Sequence, residues 1–97
     1  MSIQDVESGT FFAVVDQFID LANQHLAAEP AALGAVSAAI TYAAARFNAH
    51  EAMLRIEDLA LSRDETIDWF IERYRLMLVD NVDEHLVMNA LTANTAG

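Results

Sequence analysis

Cysteine and lysine are both missing from these 97 residues. Without a thiol there is no disulfide, no thiolate metal site and no cysteine nucleophile. Without lysine, the cationic charge rests on Arg46, Arg55, Arg63, Arg73 and Arg75 alone. Five basic residues face fifteen Asp and Glu, for a formal net charge of -10. A field of that sign repels phosphate backbones and anionic headgroups, so neither nucleic acid nor a membrane surface is expected as a partner. Proline occurs once, at Pro30, and glycine only at Gly9, Gly34 and Gly97. The longest stretch low in charge, Pro30 to Ala45, is alanine-dominated and too short to span a bilayer as a helix. The opening MSIQDVESGT lacks the basic and apolar regions of a secretory signal. With the missing cysteine, this gives the expectation of a cytoplasmic protein.

What is present is apolar. The chain is 55% hydrophobic with a mean hydropathy of +0.24, enough for one modest core and unlike a disordered tail. Runs of β-branched alternation are missing and helix breakers are sparse, which predicts an all-α fold. A first helix is expected over about residues 10–27. There Phe11, Val14, Val15, Phe18, Leu21, Ala22 and Leu26 recur at three- and four-residue steps, opposite Asp16, Asp20 and Asn23. Pro30 disfavours helical geometry at Glu29 and so marks a turn in AAEPAALG. A second helix follows over about 34–56, with Val36, Ile40, Ala43, Phe47, His50 and Leu54 on one stripe. Its alanines let a neighbouring helix approach closely. Ser62 to Glu65, SRDE, fits a capping box and opens a third helix over about 63–91. Its inward set is Ile67, Phe70, Ile71, Tyr74, Met77, Leu78, Val82 and Leu86. Residues 1–8 and 92–97 are expected to fray around a single domain. Three helices on short turns make an up-down-up bundle.

The apolar residues exceed what one such bundle can hide. Leu76, Met77, Leu78 and Val79 are consecutive, and four neighbours at about 100° steps cover most of a helix circumference. Val87 and Met88 beside Leu86, and Phe12 beside Phe11, repeat the effect. Self-association through helices one and three is the expectation, with a dimer favoured and a groove for an unknown protein partner as the rival.

The polar residues offer few sites. In an antiparallel register Arg46 falls within reach of Asp16 on the first helix and Glu72 on the third, while Glu72 lies opposite Asn48. This predicts a charge-assisted clamp that fixes helix register, against the alternative that Arg46 awaits an anionic ligand. His50 and Glu51 begin an H-E-x-x-H motif, but Ala52, Met53 and Leu54 follow and the motif fails. Glu51 instead stands four residues before Arg55, the favoured orientation for a helix ion pair. His25, Asp83 and His85 could meet at one end of the bundle as zinc or iron ligands, although their spacing defines no known motif. No metal or other cofactor is therefore expected. Asp64, Asp68 and Glu72 follow four-residue steps, a solvated face or a decoy for a basic nucleic-acid-binding protein. No nucleophile elbow, phosphate loop or triad is recognisable, and no enzymatic activity is expected.

Three segments, FFAVVDQFIDLAN (Phe11 to Asn23), VSAAITYAAARFNA (Val36 to Ala49) and YRLMLVDNVDEH (Tyr74 to His85), resemble a small bacterial family defined only as a domain of unknown function, the 3144 type. The resemblance implies a short helical bacterial protein and supplies no activity, cofactor or partner. On its matching positions it draws attention to Asp16, Asp20, Asn23, Arg46, Asn48 and Asn81. The expectation is a non-catalytic homo-oligomeric interaction module. The alternatives are a ligand- or metal-binding protein using Arg46 or the His25 and His85 end, and an acidic decoy-type inhibitor.

Overall fold

A computed structural model describes the backbone of residues 8–96 and the side chains of residues 9–92. The chain is all-α: three α-helices and one short 3-10 turn, with no strand among the described residues. The first helix, α1, is Ser8–Ala28; α2 is Leu33–Arg55; α3 is Arg63–Ala96. Between α1 and α2 the 3-10 turn Pro30–Ala32 carries its proline at the first position, where a missing N–H costs no helical hydrogen bond. Glu29 is extended at φ -145 and ψ 84, as the residue before a proline should be. Its own N–H still donates to the His25 carbonyl at 3.1 Å, closing the last turn of α1.

The third helix, expected over about 63–91, extends to Ala96. No helix breaker precedes Gly97, and Thr92 Oγ1 donates to the Met88 carbonyl at 2.9 Å. The expected fraying of residues 1–7 and of Gly97 lies outside the described residues. None of the described helices is long and apolar enough to cross a membrane.

The chain divides into two units, one reaching to Phe47 and one beginning at Asn48. In the first, Phe11, Val15, Ala22 and Leu26 of α1 are half-buried, as are Ala32 and Val36 at the turn into α2. Their steps of four and seven along α1 trace one face, the one nearest the expected stripe. Val14, Phe18 and Leu21, expected on that stripe, are exposed. The second unit holds the end of α2, the connecting turn and α3. Ala52 is buried there at 4% exposure, the only buried residue among those described. Asn48, Glu51, Ile56, Leu59, Ser62, Thr66, Phe70 and Arg73 are half-buried around it. Most of the expected inner face of α3 is exposed, including Ile67, Ile71, Tyr74, Met77, Leu78, Val82 and Leu86. The periodicity is helical as expected, but neither unit alone supplies the second surface that would cover these stripes.

Candidate functional site

The densest polar arrangement lies in the second unit, where α2 ends and α3 begins. The connecting turn is tied by its own residues. The Ile56 N–H donates to the Ala52 carbonyl at 2.9 Å, and the Ser62 N–H to the Asp58 carbonyl at 3.2 Å. Asp58 Oδ1 accepts from the Leu61 N–H at 3.1 Å, an aspartate side chain standing in for a backbone acceptor in the turn. The Ser62 carbonyl then accepts from the Thr66 N–H at 2.9 Å, the first bond of α3, so Ser62 occupies the expected cap position. The reciprocal side-chain bonds of a capping box are not formed between Ser62 and Glu65 among the described contacts.

Above this turn Glu51 joins two arginines. Its Oε2 lies 3.5 Å from Arg55 Nε, the expected four-residue pair, and its Oε1 lies 3.9 Å from Arg73 Nη2 on α3. The Arg73 guanidinium carbon sits 4.9 Å from the centre of the Trp69 ring and 4.8 Å from that of Phe70. Those two rings meet edge to face at 5.0 Å and 86°. A cleft of about 390 Å³ opens beside them, lined by Ala52, Ile56, Ser62, Thr66 and the two aromatic side chains, with Glu51, Arg55 and Glu65 at its polar side. A guanidinium held between a carboxylate and two ring faces is electrostatically satisfied. The arrangement therefore ties the end of α2 to α3.

Sequence reasoning missed Arg73 and Asp58. The signal for Arg73 was present: it stands four residues after Trp69 and three after Phe70, the spacings at which helical side chains touch. Asp58 carried less, because an aspartate in a turn can accept from several N–H groups.

The residues of the expected polar network are divided between the two units. Asp16, Asp20 and Asn23 are exposed on α1, and Arg46 is exposed on α2. Asp16 and Arg46 belong to the same unit, yet no ion pair joins them among the described residues. The register argument placed their backbones level; it could not place two long or charged side chains that gain more from water than from each other. Asn48 is half-buried, while Glu72 is exposed in the second unit. Asn81 Nδ2 donates to the Met77 carbonyl of its own helix at 2.8 Å. His85 Nδ1 lies 2.7 Å from the Asn81 carbonyl, which can only accept, so that nitrogen is the donor of this bond. His25 and Asp83 are exposed on their helices. No group of three or more His, Asp or Glu side chains comes together to hold a metal among the described residues. The expected interface residues Phe12, Leu76, Val79, Val87 and Met88 are all exposed, between 40% and 59%.

The described residues are all-helical, and many of their large apolar side chains are exposed. The chain belongs to the family described as Protein of unknown function (DUF3144), whose model matches residues 11–86. No curated protein and no solved structure matches it.

Proposed function

We propose that this protein is a non-catalytic interaction module that works as a homo-oligomer, with a dimer as the simplest form. Its helices would close into an up-down-up bundle whose surplus apolar faces on α1 and α3 are covered by a second copy. One observation carries the reading: Ala52 is buried, while Phe12, Phe18, Trp69, Leu76, Leu86 and Met88 stand 55% to 65% exposed. Each such side chain gains about 1.5–3 kcal/mol on full burial, so leaving many in water is a poor state for a folded chain. The net charge of -10 supports a partner that is neither nucleic acid nor an anionic membrane, and the missing cysteine supports a reducing, cytoplasmic setting. Sedimentation velocity over a hundredfold concentration range tests this. A dimer or larger closed oligomer is expected, and a monomer at every concentration would overturn it.

A further inference from the structure

We draw no further inference here: the strongest candidate, the cleft of about 390 Å³ beside Trp69 and Phe70 where α2 ends and α3 begins, carries nothing, because Arg55 stands with Glu51 and Glu65 at its polar side so that charge selects no class of ligand, and nothing in the structure shows what covers its apolar side.

Discussion

Arg46 and Ala52 show how differently two residues six positions apart on one helix can count. Arg46 is exposed and forms no ion pair with Asp16, so its charge stays in water. Arg46→Ala is expected to shift unfolding stability by less than about 0.5 kcal/mol in a urea titration. A loss of several times that size would restore the clamp that register alone suggested. Ala52 carries no chemistry but is 4% exposed beneath the Glu51 and Arg73 pair. Ala52→Asp would put an unpaired charge there and is expected to cost at least about 2 kcal/mol in the same titration. The Glu51 and Arg55 pair was legible because both partners share a helix and the spacing fixes their distance. The Glu51 and Arg73 contact was not, because its geometry depends on how two helices meet.

At the scale of elements, breakers and caps placed the helices well. Pro30 ends the first helical segment, and Ser62 opens the third. Gly34 is the exception: it sits one residue inside α2 without positive φ, and a Cβ built there meets nothing within 4 Å. Gly34→Ala is therefore expected to raise the thermal midpoint, with a gain of about 0.5–1 kcal/mol from lower unfolded-chain entropy and better helix propensity. A destabilised Gly34→Ala protein would show that another helix approaches closely at that position in the assembly. Asp58→Ala removes the acceptor for the Leu61 N–H and is expected to cost about 0.5–1.5 kcal/mol, read by urea unfolding. α3 extends to Ala96, beyond the end expected near residue 91, with no proline or glycine between them to stop it.

For the whole molecule, net charge and apolar surface pull in opposite directions. At -10 per chain, association brings like charges together and exposed apolar side chains drive it. Added salt screens the first and leaves the second in place. Dimerisation is therefore expected to tighten between about 0.05 and 0.5 M sodium chloride, with the Debye length falling from above 10 Å to below 5 Å. Equilibrium sedimentation at the two salt concentrations measures it. Weakening with salt would instead indicate an assembly held by ion pairs and would return attention to the acidic line on α3 as a binding face.

The sequence by itself determined the all-α class, the positions of the turns and the surplus of apolar side chains. These follow from local propensity, from the few breakers and from composition, and none depends on what a helix touches. It also marked Glu51 and Arg55 as a pair, since both lie within one helical turn. Only the tertiary structure decided that Ala52 is the buried point, that Arg73 rests on Trp69 and Phe70, and that Arg46 and Asp16 stay apart. Those outcomes turn on distances between helices, which periodicity along a single helix does not encode.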